Sequence, residues 1–336
     1  MPRKERGKVR RKLRILIMVL GLALVATGCS GPGAQGGSAE DYPSEEIRLI
    51  IPYAAGGPTD ISGRAVGAYL EENLGQPVVV ENITGASATV GTGELVSSPP
   101  DGYTLLVATT SPLVLVPLLE DVGYDKDDVE TIGVSIETPA VLAVQTDSQY
   151  ETAEQFFEAA AADPGGLSVG LPGANTPQGV ELMRLRDEYG IEVSPVPFEG
   201  DSEAVTALLG GNIDALFDPA GEVVMTPIED GEFRPLAVGP EERVEYLPDT
   251  PTLSELGYEN LTLSTSTYGL VAPKGTPSEI ISKLESTLEQ ALQDPEVREQ
   301  INERYIPQEF IDAEGFRALL DDTWATYEPI LSQNGG

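Results

Sequence analysis

Apolar residues along this chain come in two rhythms, short β-branched runs and longer stretches that repeat every three or four positions. The two alternate. Ile47-Arg-Leu-Ile-Ile51 is a run of the first kind, and it meets Pro52-Tyr-Ala-Ala-Gly-Gly-Pro-Thr-Asp60 before Ile61, Ala65, Ala68 and Tyr69 recur at helical spacing up to Asn73-Leu-Gly75-Gln-Pro77. That order predicts a strand, a tight turn and a helix, with Thr59 or Asp60 as the helix cap. Val78 to Glu81 predicts a second short buried strand, Asn82 to Gly91 a second strand-to-helix corner with its helix running to about Ser98, and Thr104 to Thr109 a third strand with Ser111-Pro112 as its corner. In a parallel sheet these corners all open on the carboxyl edge of the strands, where ligands of open α/β sheets sit.

The pattern then repeats. Val134 to Val144 reads as extended with Pro139 interrupting it, and predicts a crossing into a second domain. Glu151 to Ala162 is an Ala-rich helix, Leu167 to Leu171 a strand, and Pro172-Gly-Ala-Asn-Thr176 a corner with Thr176 as cap and Pro177 at the first helical position. Glu192 to Val196 is a further strand, Pro197-Phe-Glu-Gly200 its loop, and Asp201 caps a helix reaching Leu209, after which Ala215 to Phe217 is a strand ending in Asp218. Ser264 to Pro273 predicts the return crossing, followed by a helix capped by Thr276 with Ile280, Leu284, Leu288 and Leu292 on one face, another opening at Asp294-Pro295, and a last one whose stripe includes Phe316, Trp324 and Tyr327. Two α/β lobes joined by two crossings form a hinged pair with a cleft, and 134–144 and 264–273 are the hinge candidates.

The amino terminus changes the picture. Basic residues crowd Met1 to Arg14, Ile15 to Ala26 is apolar apart from Gly21, and Val25-Ala-Thr-Gly-Cys29 follows. The first two features are those of a signal peptide, and the last resembles the lipobox of bacterial lipoproteins, which implies cleavage before Cys29 and a lipid on its thiol. Residues 1–28 are then a leader and the glycine-rich 29–41 a flexible tether. Cys29 is the only cysteine, so no disulfide can form within the chain.

The formal charge is −35, and losing the leader's eight Lys/Arg and one Glu leaves 12 bases against 54 acids, a balance of −42. Such a surface repels nucleic acid. It suits a cationic ligand or a saline habitat, and the scatter of the acids along the chain favours the second. There is no histidine, which excludes Ser-His-Asp and Cys-His catalysis and the usual zinc sites. No Asp-x-Asp-x-Asp-Gly calcium loop or G-x-G-x-x-G dinucleotide fingerprint occurs, and Asp127-Asp128 and Asp321-Asp322 read as surface, so neither metal, cofactor nor catalysis is expected. What remains is the glycine corner at Gly56 and Gly57, whose outward amides and following helix suit a carboxylate.

The sequence resembles the extracytoplasmic substrate-binding proteins of tripartite tricarboxylate transporters, the Bug family, from Tyr42 to about Leu331. The resemblance is carried by Tyr42-Pro43, Ile47 to Asp60 with Arg64, Leu74-Gly-Gln-Pro-Val-Val-Val-Glu-Asn82, Gly85-Ala86, Pro100-Asp-Gly-Tyr-Thr-Leu-Leu106, Gly210-Gly-Asn-Ile-Asp214 and Gly269-Leu-Val-Ala-Pro-Lys-Gly-Thr-Pro277. It implies an α/β, two-domain, periplasmic-binding-protein-like (venus flytrap) fold with two crossover segments, lobe 1 being 42–138 plus 266–336 and lobe 2 being 139–265. It also implies a protein that presents a small organic acid to membrane transporter subunits, the ligand carboxylate resting on main-chain amides of the first two βα loops; together with the lipobox, a monomer lipid-anchored outside the cell membrane is expected.

Carried onto this chain, those loops are Tyr53 to Asp60 and Gly85 to Ala88. The candidate ligand contacts are Tyr53, Ala54, Gly56, Gly57, Thr59, Asp60, Gly85, Ala86, Ser87, Ser111, Asn175, Thr176, Phe198, Glu199 and Asp218. The family's histidine is missing near Gly179, and Phe198-Glu199-Gly200 stands where Tyr-Lys-Gly is usual. Losing a base and gaining Glu199 disfavours a di- or tricarboxylate and favours a monocarboxylate, or a ligand with a neutral or cationic far end, unless Glu199 points to solvent. A lipid-anchored sensor for a membrane signalling partner is the alternative function.

Overall fold

A computed structural model describes residues 41–332; the predicted leader, the Cys29 lipid site and most of the tether lie outside the described residues. The described chain forms two five-stranded sheets. The first is ordered β2-β1-β3-β10-β4, from β1 (Ile47–Ile51), β2 (Val78–Asn82), β3 (Thr104–Thr109), β4 (Val129–Thr138) and β10 (Ser266–Pro273). β1 runs parallel to β2 and β3, while β10 is antiparallel to β3 and β4. The second is ordered β7-β6-β8-β5-β9, from β5 (Ala140–Gln145), β6 (Ser168–Leu171), β7 (Ser194–Pro197), β8 (Ala215–Pro219) and β9 (Phe233–Val238). There β6 is parallel to β7 and β8, and β5 is antiparallel to β8 and β9. The antiparallel fourth strand of each sheet, β10 or β5, is the strand on which the chain arrives from the other sheet. The two lobes are therefore repeats of one architecture.

Helices cover both faces, as parallel strands require. The first sheet carries α1 (Pro58–Leu74), α2 (Thr89–Val96), a π-helical turn Ser111–Leu115 running into α3 (Val116–Leu119), and later α8 (Ser278–Gln293), α9 (Pro295–Ile301) and α10 (Ala313–Ser332). The second carries α4 (Ala153–Ala162), α5 (Pro177–Tyr189), α6 (Asp201–Leu209) and α7 (Glu222–Glu229). Alternation along β1 is a strand's period: Ile47, Leu49 and Ile51 pack with Val66, Leu70, Ile280 and Leu284 on one face, and Ile50 packs with Leu95, Leu106, Phe316 and Leu320 on the other. All of these are buried, each contributing about 1.5–3 kcal/mol. In the second sheet Leu142, Val144 and Phe217 meet Phe156, Phe157 and Leu185, while Val141, Ala143 and Leu216 meet Leu208, Val224 and Met225.

Several local expectations shift. The first helix is capped by Gly57, with Pro58 at its first position, because proline needs no N–H partner there, and Asp60 falls in the first turn. Gly200, not Asp201, caps α6. Pro277 caps α8, since the Thr276 hydroxyl donates to Pro273 O (2.7 Å) and is spent. Thr176 and Asp294 do cap, accepting from Gly179 N and from Glu296 N and Val297 N. β2 is an edge strand with no fully buried residue, not a buried one. α7 and β9, which the sequence pattern does not predict, contain Pro227 and Pro235. Proline interrupts the periodicity on which such predictions rest.

One buried pair gives a pH-dependent term. Glu181 is 1% exposed, accepts from Arg184 Nη1 (2.9 Å) and leaves its other oxygen without a partner; Arg184 also reaches Glu188 (2.8 Å) and Asn260 O (2.6 Å). Burial outweighs the arginine and pushes the Glu181 carboxyl from its ordinary 4.5 up to about 7. Between those values the folded chain keeps a proton that the unfolded chain has lost, so stability falls as pH rises through the window. Glu181→Gln is expected to remove that fall and leave the protein up to about 3 kcal/mol more stable than the parent above the window. Urea unfolding at both ends of the window checks this; equal pH slopes in parent and variant would refute it.

Candidate functional site

Parallel pairing sends the carboxyl ends of β1, β2 and β3 to one edge, and those of β6, β7 and β8 to the corresponding edge of the second sheet. The corners that follow these strands face one another. The first begins after Ile51 and turns on Gly56, whose φ of +92° suits glycine. Asp60 ties it down: its carboxylate, 5% exposed, accepts from Gly56 N (3.0 Å), Arg64 Nε (2.9 Å) and Asn82 Nδ2 (3.0 Å). Asn82 Nδ2 also donates to Tyr53 O (3.0 Å), joining the corner to the end of β2. Among the described residues the amides of Ala54, Ala55, Gly57 and Thr59 have no protein acceptor.

The second corner is more strained. Gly85 has φ +125°, and Ala86, Ser87 and Ala88 follow at +48°, +53° and +71°. Three consecutive non-glycine residues in the left-handed region cost of order 1–3 kcal/mol each, a cost that persists mainly at ligand sites. The turn is closed by Ala86 O, which accepts from Thr89 N (3.1 Å) and Thr89 Oγ1 (2.8 Å). The amides of residues 85–88 have no protein acceptor among the described residues.

The lobes are closed on each other. Ser111 Oγ donates to Asn175 O, and Gln178 Nε2 donates to Ser266 Oγ at 3.1 Å. A side chain at Gly57 would stand 3.0 Å from Asp201 Oδ2, and one at Gly221 would stand 2.6 Å from Pro58 Cγ. Between the corners lies an inner cavity of about 50 Å³, lined from the first lobe by Tyr53, Ala54, Gly57, Thr59, Thr109, Thr110, Ser111, Ser266 and Tyr268, and from the second by Pro172, Thr176, Pro177, Gln178, Gly200, Asp201, Ser202, Glu203 and Pro219. An adjoining outer pocket of about 330 Å³ shares Tyr53, Pro172 and Glu203 with it and adds Gly85, Ala86, Ser87, Ala88, Phe198 and Glu199. Neither lining includes a lysine or an arginine.

Of the residues singled out from sequence, Tyr53, Ala54, Gly57, Thr59, Ser111 and Thr176 come together in the inner cavity, and Gly85, Ala86, Ser87, Phe198 and Glu199 in the outer pocket. Four line neither. Gly56 gives its N–H to Asp60, whose own carboxylate is saturated by three donors, Asn175 offers its carbonyl to Ser111, and Asp218 is fully buried at the end of β8. Glu199 is exposed, and its N–H donates to Glu203 Oε2 (3.3 Å). Asp201, read from sequence as a cap, instead projects into the inner cavity. Gln178, Ser266 and Tyr268 join the lining from positions that carry no local motif.

Burial also sets the site's electrostatics. It pushes the Tyr53 phenol up to about 12 against its hydrogen bond with Thr109 (2.9 Å). It raises Asp201 to about 7, and raises Asp218 well above the carboxylate range, with the Asp201 charge adding to the effect. Among the described residues no group of three or more acidic or thiol side chains is placed to hold a metal ion. The arrangement presents two sets of free main-chain donors around a base-free, partly acidic cavity enclosed between the two lobes.

Comparison with known proteins agrees with this geometry. The tripartite tricarboxylate transporter family receptor model matches residues 63–335. Protein BugT of Bordetella pertussis is 33% identical over 291 residues, covering 84% of this chain and 86% of BugT. The structure of the periplasmic binding protein BugD superposes with a TM-score of 0.78 at 27% identity, covering 88% of this chain and 99% of BugD. An R. palustris protein solved with adipate superposes with a TM-score of 0.79 at 25% identity, over 88% of this chain and 99% of its own. This chain belongs to the tripartite tricarboxylate transporter receptor family, a family of solute-binding proteins of the venus flytrap fold.

Proposed function

We propose that the protein is an extracytoplasmic receptor that captures a small organic carboxylate between lobe 1 (42–138 plus 266–336) and lobe 2 (139–265) and delivers it to a tripartite tricarboxylate-type membrane transporter, held at the membrane by a lipid on Cys29. The observation that carries this reading is the pair of corners whose amides lack protein acceptors and face one closed cleft. Backbone donors at the start of a helix hold a carboxylate without a lysine or arginine, so a base-free cleft in a strongly acidic protein is compatible with an anionic ligand group. The adipate held by the R. palustris relative supports the same class of ligand. Native mass spectrometry of the protein purified from its own cells tests it. The expected result is a bound species that carries a carboxyl group and rebinds after removal. An occupant with no acidic group, or chemical turnover of the acid, would contradict it. For the anchor, Cys29→Ser is expected to move the protein from the membrane fraction to the soluble fraction; unchanged membrane retention would refute lipidation at Cys29.

A further inference from the structure

Two buried carboxylates of the second lobe, one of them lining the cleft, lack a counter-charge. Asp201, the first residue of α6, is 8% exposed, lines the inner cavity and has no ion pair among the described residues. Asp218, at the end of β8, is fully buried, and neither of its oxygens has a hydrogen-bond partner. The Asp201 charge opposes ionisation of Asp218. A third acid, Glu203, lines the same cavity, and no basic residue does. Buried carboxylates left unpaired are among the most costly groups a fold can keep, and natural chains keep them where a ligand supplies what is missing.

The position of Asp201 says what that is. Its Oδ2 lies 3.0 Å from where a Gly57 side chain would begin, so the acid stands beside Gly57, whose amide has no protein acceptor among the described residues. A ligand carboxylate on the amide would there be repelled by Asp201, unless a positive group sat on the neighbouring carbon and faced the acid. We propose that the ligand is an α-amino acid, its carboxylate on the first corner's amides and its ammonium on Asp201, and that Asp201, backed by Asp218, is the specificity-determining residue. This rests on the carboxylate-capture reading and narrows it. Glu199, exposed at the outer pocket, is not needed for the selection.

Calorimetry on the full folded chain at about pH 7.5, where an α-ammonium is charged, tests the proposal with the common amino acids, each paired with the acid that lacks only the ammonium, such as glutamate with glutarate and alanine with propionate. In the pair that binds, the amino acid is expected to be at least about 100-fold tighter. Asp201→Asn, close to isosteric, is expected to reduce that ratio to about fivefold or less by weakening the amino acid alone, with its thermal melt confirming that it folds. Asp218→Asn should lower the ratio in the same direction. A deaminated acid that binds as tightly as its partner, or a ratio unchanged in folded Asp201→Asn, overturns the proposal and leaves carboxylate capture standing. If no member of any pair binds, this proposal falls, while carboxylate capture is decided by the occupant found in the purified protein.

Discussion

Gly221→Ala is expected to leave both lobes folded and to hold the cleft open. Gly221 caps α7 with φ −75° and ψ 175°, a conformation that alanine adopts freely, so the backbone itself does not resist the change. The obstacle is the opposite lobe: the new methyl would stand 2.6 Å from Pro58 Cγ and within 3.6 Å of two further atoms of that ring. Pro58 opens α1, where the pyrrolidine cannot rotate away. The clash exists only when the lobes meet, so its cost, about 1–3 kcal/mol for overpacking, falls on closure and not on folding. Ligand affinity should drop by the same factor as the closed population, about 5- to 150-fold, with the melting temperature of the empty protein nearly unchanged. Calorimetry with small-angle scattering at saturating ligand reads both quantities. Parent-like affinity would show that closure is not coupled to capture.

Asp60→Ala should act on the same cleft by a different route. Asp60 does not need to touch the ligand to matter, because it fixes the shape of the first corner through Gly56, Arg64 and Asn82. Burial pushes its carboxyl up, but the hydrogen bonds from Arg64, Asn82 and Gly56 outweigh that and hold it below the usual 3.8. A carboxyl so depressed contributes stability above its ordinary value and loses it as pH falls through the folded one. Removing it leaves Gly56 N without its acceptor and frees Asn82, which also holds Tyr53 O. The expected destabilisation is about 2–4 kcal/mol, less than the sum of three charge-assisted bonds because Arg64 is half exposed and regains water. Binding should be lost even under conditions where the variant is folded, and the acid limb of the stability profile should flatten. A folded variant that binds as the parent does would mean that the first corner needs no such brace.

Much of the architecture was legible because hydrophobic periodicity reports one-dimensional facts. Ile47 to Ile51 and Thr104 to Thr109 are strands as read, and the fourfold spacing of Ile280, Leu284, Leu288 and Leu292 is the buried stripe of α8. Helix starts were blurred where proline and small hydroxyl or acidic residues stand together, as at Pro58-Thr59-Asp60, because several of them suit the first turn. The segments with Pro227 and Pro235 gave no period to read. The cleft was legible only as corners: Gly57, Thr59 and Ala86 stand where glycine-containing turns follow strands. What joins those corners was not. Ser111 and Asn175, or Pro58 and Gly221, meet only through the packing of two lobes, and no local pattern encodes that. The acids show the same limit, since Glu199 drew notice for its place in a motif yet lies exposed, whereas Asp201 resembles an ordinary first-turn acid and is buried in the cavity.

The central claim is that main-chain amides, not side-chain bases, hold the ligand's carboxylate. A crystal structure of the protein with the acid that accompanies it through purification tests that most directly. Carboxylate oxygens are expected within about 3.2 Å of the amide nitrogens of Gly57 and Thr59, or of Ala86 and Ser87, with both lobes in contact with the ligand. A carboxylate resting on a lysine or arginine, or a ligand bound outside the two pockets with those amides untouched, would contradict it.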